Sequence, residues 1–259
     1  MLRVLGAAAV VCLLLPCAAS STVAPELGLT FPTAASQRQA VARAFAARTP
    51  VYCGGGNVHA VALTFDDGPG PYTATLLREL RAAGAHATFF LVGNRVRYWP
   101  WAPRAEAALG AVGNHSWSHP RLTDMPRWLA WVELARTQAT LQAADGRQPT
   151  LFRAPYELHD AATDLVAHEL GLTEVYWSVA SGDDQPGATV ARVEQNVIAG
   201  LQPGAIVLMH DIHPWTVEAL PTILRALAAR GLQAVSVPEL LALDPPRPGQ
   251  GCTAAPGSD

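Results

Sequence analysis

Two adjacent acids stand at the end of an apolar run and could do chemistry together. The segment VALTFDDGPG (residues 61–70) carries Asp66 and Asp67 directly before a break at Gly68-Pro69. Successive side chains of a strand point to opposite faces, and two neighbouring carboxylates repel each other. If both acids are functional, we expect them to have different tasks.

Two histidines offer a partner for one of these acids. The segment GNHSWSHP (113–120) places His115 and His119 four residues apart. On a helical turn such residues share a face, so both imidazoles could bind one cation; surface or core histidines are the alternative. A catalytic zinc has three protein ligands and an open position, and an acid from the first strand end would complete the set. The other acid could then accept a proton from an attacking water.

Further ionisable residues follow other apolar runs. His210 comes directly after AIVLM (205–209). An imidazole titrates close to neutral pH and could protonate a leaving group, unless it is a structural histidine. Asp183 could orient His210 and raise its pKa, and Arg153 could pair with the base carboxylate. Structural salt bridges are the alternative for Asp183 and Arg153.

The elements that would position these residues alternate between strands and helices. Strands are predicted at 61–65, 87–92, 111–115, 151–154, 174–179, 205–209 and 233–237. Helices are predicted at 73–84, 127–145, 161–171 and 217–231. Repeated β-α alternation predicts a parallel sheet covered by helices, and seven units predict a barrel or near-barrel. Active sites of such barrels lie at the carboxyl ends of the strands, where the residues above would meet.

Composition favours one large globular domain. The chain has 259 residues, of which 50% are hydrophobic and 15% charged, enough for a full core. A net charge of -3 gives no reason to expect nucleic acid or an anionic membrane as partner. The expected organisation is an N-terminal extension (21–57) with a helix at 36–48 capped by Ser36, a catalytic domain (58–243) and a Pro/Gly-rich tail (244–259).

The first 20 residues predict a secretory signal. Arg3 precedes an apolar stretch of about 11 residues, and small residues follow; a buried N-terminal helix is the alternative. The stretch is too short to span a bilayer, and no later stretch predicts stable membrane insertion. We expect cleavage near 19–21 and a location outside the cell or in its envelope. Cys17 suggests a lipoprotein signal, for which Pro16 is a poor fit.

Two cysteines remain outside that segment, Cys53 and Cys252. In an oxidising compartment a remaining pair predicts a disulfide, which would tie the tail to the start of the domain. Two free thiols are the alternative.

Five motifs together resemble the polysaccharide deacetylase family, also called carbohydrate esterase family 4 or the NodB-homology family. The resemblance covers about residues 58–241. The motifs occur in order as TFDDGP (64–69), HSWSH (115–119), RAPY (153–156), WSVASGDD (177–184) and LMHD (208–211). The resemblance implies a distorted (β/α) barrel that hydrolyses N-acetyl groups of N-acetylglucosamine units in chitin oligomers or peptidoglycan. We expect the protein to be a monomer. Removal of O-acetyl esters from xylan is the nearest alternative.

The resemblance also implies a role for each motif residue. Asp67, His115 and His119 would bind a divalent metal, usually zinc, with cobalt or nickel as substitutes. Asp66 would be the catalytic base, held by Arg153, and His210 the acid, tuned by Asp183. The backbone N–H of Tyr156 would help to stabilise the oxyanion, and Leu208 would line the pocket for the acetyl methyl group.

Four positions in the third and fourth motifs depart from the family pattern. Ala154 and Glu157 replace a proline and a glycine of the third motif. In the fourth, Ala180 replaces an additional aspartate, and Asp184 stands where a tryptophan normally forms a wall of the groove. The choice between Asp183 and Asp184 as partner of His210 therefore stays open.

Three other functions are alternatives to deacetylation. A glycosidase needs two carboxyls about 5–9.5 Å apart across a bond, for which adjacent acids are poorly placed. The degenerate third and fourth motifs would suit an inactive glycan-binding module. A serine hydrolase is disfavoured because no G-x-S-x-G occurs.

Overall fold

A computed structural model describes residues 29–247 and residue 250. The signal segment 1–20 and Cys252 lie outside the described residues, so the signal and the disulfide stay predictions. Cys53 itself is buried. Within the described part, no helix is long and apolar enough to cross a bilayer.

The strands form one parallel sheet, as predicted. They are β1 (Ala60–Gly68), β2 (Ala87–Leu91), β3 (Gly110–Asn114), β4 (Leu151–Phe152), β5 (Thr173–Glu174), β6 (Val179–Ala180), β7 (Ile206–His210) and β8 (Gln233–Val235). Their order is β5-β4-β3-β2-β1-β7-β6, and β8 pairs with β1. Every pairing between these strands is parallel.

The predicted strand 174–179 is wrong as a single element, and its division shows how the sheet curls. Its first part belongs to β5, which pairs with β4 at one edge, and its last residue begins β6, which pairs with β7 at the other edge. Only residues 175–178 separate the two strands, and an extended residue spans at most about 3.6 Å. The two edges therefore lie close together, and the sheet is a distorted barrel of the predicted kind.

Helices cover the outside of this sheet. They are α1 (Ala34–Ala47), α2 (Thr73–Ala82), α3 (Ala102–Ala107), α4 (Arg127–Asp145), α5 (Ala161–Glu169), α6 (Val190–Gly200), α7 (Pro214–Ala229) and α8 (Val237–Leu243). The predicted helix 127–145 is confirmed to the residue. The predicted cap Ser36 is wrong, because α1 begins earlier and Thr33 Oγ1 accepts a hydrogen bond from the Ser36 N–H.

The alternation of strand side chains separates two hydrophobic clusters. Along β1, Val61, Leu63 and Phe65 belong to the cluster beneath α2 and α7. Ala60 and Ala62 point to the inner face and belong to the second cluster, which also contains residues of α1, α4, α5 and α8. Side chains of a strand repeat with a period of two, so the inner series continues through Thr64 to Asp66. The first acid therefore faces the inside of the barrel at the carboxyl end of its central strand.

Candidate active site

The two adjacent acids lie inside β1 rather than after it, and a bulge separates them. Asp66 pairs with Phe90 and Gly68 with Leu91, so Asp67 is an extra residue in the ladder. Its φ of 68° lies in the left-handed region, which aspartate adopts more readily than most residues. A bulge re-aims the side chains around it. Both carboxylates therefore reach the same side of the sheet.

Both histidines of the predicted pair meet Asp67. The Oδ1 atom of Asp67 lies 3.2 Å from Nε2 of His119 and 3.7 Å from Nε2 of His115. One donor atom of each residue lies within 4.8 Å of the others. The two imidazoles meet without a helical turn, because the segment 115–119 is a loop in which Ser116 and His119 have positive φ.

Glu133, a buried acid of α4, holds this loop, and it was not among the residues predicted from the sequence. Glu133 accepts hydrogen bonds from the N–H groups of Trp117 and Ser118 at 2.9 and 2.8 Å, and from the Ser118 hydroxyl at 3.0 Å. Ser116 Oγ accepts from the His119 N–H at 3.1 Å. The sequence does contain a signal for this role. Glu133 stands within WLAWVEL (128–134), at a position where a helix that packs on a core usually carries an apolar residue.

The Asp67, His115 and His119 set fits a divalent cation of the zinc type. Nδ1 of His115 donates to the carbonyl oxygen of Arg153 at 2.8 Å, which leaves a lone pair on Nε2. Burial lowers the pKa of both imidazoles to about 4, so both are neutral at pH 7. Asp67 Oδ1 is buried without a hydrogen-bond partner. A buried anionic oxygen without a partner is costly, and a cation would supply the missing interaction.

Asp66 is held by a fully buried arginine. Nη1 of Arg153 donates to Asp66 Oδ1 and to Thr64 Oγ1, both at 2.8 Å. Its Nε and Nη2 donate to the carbonyl oxygens of Val175 and Tyr176 at 2.9 and 3.0 Å. Burial raises the pKa of Asp66 to about 6, although the Arg153 charge opposes the rise. Thr64 was not predicted, since its role depends on a contact 89 residues along the chain.

His210 ends β7 beside Asp66, with which it is in register. Its Nδ1 lies 2.7 Å from Asp183 Oδ1, and its N–H donates to Oδ2 at 2.7 Å. Burial alone would lower the pKa of His210, but the charge and hydrogen bond of Asp183 outweigh it and raise the pKa to about 10. Asp184 is exposed, so the geometry favours Asp183 as partner. The Thr216 hydroxyl donates to Asp183 Oδ2 at 2.6 Å.

Two further predicted residues, Tyr156 and Leu208, lie near the candidate metal-binding and catalytic residues. Tyr156 lies in a short turn with φ 60°, and its ring meets that of His119 edge-on with centroids 4.6 Å apart. Leu208 is buried in the inner cluster, two residues before His210 and therefore on the same face of β7. Their roles toward an oxyanion and an acetyl methyl group stay predictions.

The sequence is similar to several proteins named as deacetylases. A family model described as polysaccharide deacetylase matches residues 54–175. A peptidoglycan-N-acetylglucosamine deacetylase (PgdA) of Listeria monocytogenes is 38% identical over 182 residues, which are 70% of this chain and 38% of the relative. The chain thus spans less than half the length of that relative. A chitooligosaccharide deacetylase of Bradyrhizobium is 35% identical over 70% of this chain and 90% of the relative.

Two further proteins extend the comparison. A bifunctional xylanase/xylan deacetylase of Cellvibrio japonicus is 38% identical over 66% of this chain and 26% of the relative. The structure of a family 4 carbohydrate esterase from Streptomyces lividans in complex with acetate superposes with a TM-score of 0.64. It is 38% identical, and the match covers 68% of this chain and 91% of that chain.

Proposed function

The chain belongs to the polysaccharide deacetylase family, carbohydrate esterase family 4, and we propose that it is a metal-dependent hydrolase of N-acetyl groups on N-acetylglucosamine units. One observation carries the proposal. Asp67, His115 and His119 converge within 4.8 Å, and a base and an acid, Asp66 and His210, lie in register on the adjoining strands.

The metal-binding residues in this proposal are Asp67, His115 and His119, and zinc is the expected ion, with cobalt or nickel as substitutes. When bound, the ion would supply Lewis acidity toward the acetyl carbonyl and lower the pKa of water. Asp66 accepts the proton of the attacking water, and for this it must be ionised. The Arg153 guanidinium, 2.8 Å from Asp66, favours that ionised form.

The acid step falls to His210. Its Nδ1 is occupied by Asp183, so Nε2 is the atom that donates a proton to the departing nitrogen. With a pKa of about 10, the imidazole is protonated at neutral pH and ready to act as an acid. The Tyr156 N–H is proposed to stabilise the oxyanion, and Leu208 to contact the acetyl methyl group.

Chitin oligomers or peptidoglycan are the proposed substrates. The relatives from Listeria and Bradyrhizobium are named for such substrates. The second candidate is removal of O-acetyl groups from xylan, favoured by the similarity to the Cellvibrio protein. Amide and ester hydrolysis pass through the same tetrahedral oxyanion, so the same residues would serve both. We further propose a secreted or envelope location, supported by the signal-like residues 1–20, and a monomeric enzyme.

A panel of acetylated glycans tests the function. Acetate release is measured from chitin oligomers, peptidoglycan and acetylxylan, with and without a chelator. We expect release from the first two, loss with the chelator and recovery with zinc. Release from acetylxylan alone would establish the ester function instead. Glycan binding without any release, even with zinc, would indicate an inactive binding module, and chelator-insensitive cleavage of glycosidic bonds would indicate a glycosidase.

The neighbouring acids form a matched pair of variants that tests their separate roles. Asp66→Asn should abolish turnover and leave zinc bound, because Asp66 is proposed as the base only. Asp67→Asn should weaken zinc binding itself. Zinc content after dialysis, measured by elemental analysis, separates the two, and the reverse pattern would overturn the assignment.

A further inference from the structure

Large exposed apolar side chains are concentrated on one part of the described structure. Seven such side chains occur among the described residues: Tyr98, Trp101, Trp128, Trp131, Val132, Tyr156 and Leu165. All seven follow β2, β3 or β4 along the chain, and these three strands are neighbours in the sheet. The described segments that follow β1, β7 and β8 contribute none of them.

Several of these residues lie at the same end of the sheet as the candidate active site, namely at the carboxyl ends of the strands. In a parallel sheet the connection after each strand, and the first turn of the helix it enters, lie at the carboxyl ends of the strands. Trp101 directly precedes α3, and Trp128 is in the first turn of α4. The loop before α4 contains His119, and α3 packs against α4. Trp101 and Trp128 therefore lie at the end of the sheet that carries the site.

Helix α4 turns an apolar face to the solvent. Trp128, Trp131 and Val132 are at i, i+3 and i+4, which share one face, and they are 68%, 45% and 40% exposed. On the opposite side Glu133 is buried and holds the histidine loop. A helix that packs against a core normally buries its apolar residues and exposes its charged ones, so the arrangement in α4 is the reverse of the usual one. Exposed apolar surface concentrated in this way marks a binding surface.

We propose that Trp101, Trp128 and Trp131, called here the α4 aromatic surface, bind a polysaccharide chain outside the catalytic cleft. Flat indole rings offer apolar faces on which the C–H faces of sugar rings can stack. The surface lies on the helix whose Glu133 holds the histidine loop of the site. The proposed substrate of that site is a polymer of such rings, which identifies glycan as the occupant. The inference rests on the proposed function, because the occupant is the proposed substrate.

The double variant Trp128→Ala/Trp131→Ala tests the surface. Binding to insoluble chitin and to peptidoglycan is measured by co-sedimentation, and acetate release is measured on the polymer and on soluble chitotetraose. We expect about a tenfold or greater loss of polymer binding and a similar rise in KM for the polymer. The kcat for the polymer and both constants for chitotetraose should stay unchanged, because neither tryptophan belongs to the proposed catalytic set.

Two matched variants separate stacking from folding and from general hydrophobicity. Val132→Ser changes an exposed aliphatic side chain of the same face and should leave polymer binding intact. Trp131→Phe keeps an aromatic ring and should retain more binding than Trp131→Ala. Thermal unfolding of each variant checks that it folds.

Two results would overturn the inference. One is unchanged polymer binding in the double variant. The other is a wild-type dimer that the double variant converts into a monomer without loss of glycan binding, which would identify the surface as a contact between copies of the chain. Failure of the proposed function would look different: wild type would bind polymer through these tryptophans but release no acetate from chitotetraose.

Discussion

The pairing of His210 with Asp183 predicts how one substitution changes the pH dependence of the reaction. Asp183→Asn keeps the shape of the side chain and one oxygen acceptor for the imidazole Nδ1–H. It removes the negative charge that raises the pKa of His210 from 6.5 to about 10. Burial then acts with less opposition, so the pKa should fall to 6.5 or below.

The size of the effect follows from these two values. A fall of roughly 3.5 in the pKa of His210 changes the free-energy difference between its protonated and neutral forms by about 5 kcal/mol. At pH 8 the protonated fraction of His210 would drop from nearly all to about 3%, which predicts a roughly thirtyfold loss of kcat/KM if His210 is the general acid. In wild type the alkaline limb of the pH profile should lie near pH 10.

The assay is kcat/KM for acetate release from chitotetraose between pH 5 and 11. Asp183→Asn should move the alkaline limb down by about 3.5 pH units. Asp184→Asn, the exposed neighbour, is the matched control and should leave the limb in place. A limb that stays near pH 10 in Asp183→Asn, with activity reduced equally at every pH, would refute the reasoning. So would a shift in the Asp184 variant alone.

Other contacts give further predictions. Glu133→Ala should weaken zinc binding about 10- to 100-fold, measured by competition with a chelating dye, because Ser118 and the rest of the loop lose their acceptor; unchanged affinity would refute this. Glu157→Gly should raise the free energy of unfolding by about 0.5–1 kcal/mol in urea, since Glu157 has φ 56°; a loss of stability would show that its side-chain contacts outweigh the strain. Cys252→Ser should create one reactive thiol at Cys53 and lower stability by about 2–4 kcal/mol, and a wild type with two reactive thiols would exclude the disulfide.

The ion pair between His210 and Asp183 also predicts how the stability of the protein depends on pH. The pKa of His210 is raised in the folded state, so its contribution to stability is full below about pH 6.5 and is lost as the pH rises toward 10. The difference in free energy of unfolding between wild type and Asp183→Asn should therefore shrink across that interval. Urea unfolding at pH 6.5 and pH 9.5 measures it, and a difference that grows with pH would contradict the pairing.

The parts of the fold that follow from local patterns were predictable. Apolar runs identified the strands, and β7 indeed ends at His210, while Arg153 directly follows β4. Since parallel strands align their carboxyl ends, the sequence already implied that these residues meet. The division of 174–179 between two sheet edges was not predictable, because a short apolar run looks the same whether it pairs with one strand or with two.

The parts of the site that depend on tertiary contacts were missed for a physical reason. His115 and His119 are four positions apart, which suits a helical turn, yet a loop with two left-handed residues joins them. That loop is stable because Glu133 supplies acceptors from another element. Periodicity reports which face of an element is apolar, but it carries no information on a buried acid that serves another segment.

The bulge in β1 explains how two adjacent acids can share one site. In a regular strand the side chain of Asp67 would point to the face opposite that of Asp66. It would then lie among residues of the cluster beneath α2 and α7, such as Phe65 and Phe89. A carboxylate there would be buried without a partner, at a cost of several kcal/mol. The extra residue at Asp67 turns its carboxylate toward the imidazoles, while Asp66 keeps the inner register and meets Arg153. One backbone irregularity thus gives the two acids different partners, and the proposed separation of metal ligand from base follows from those partners.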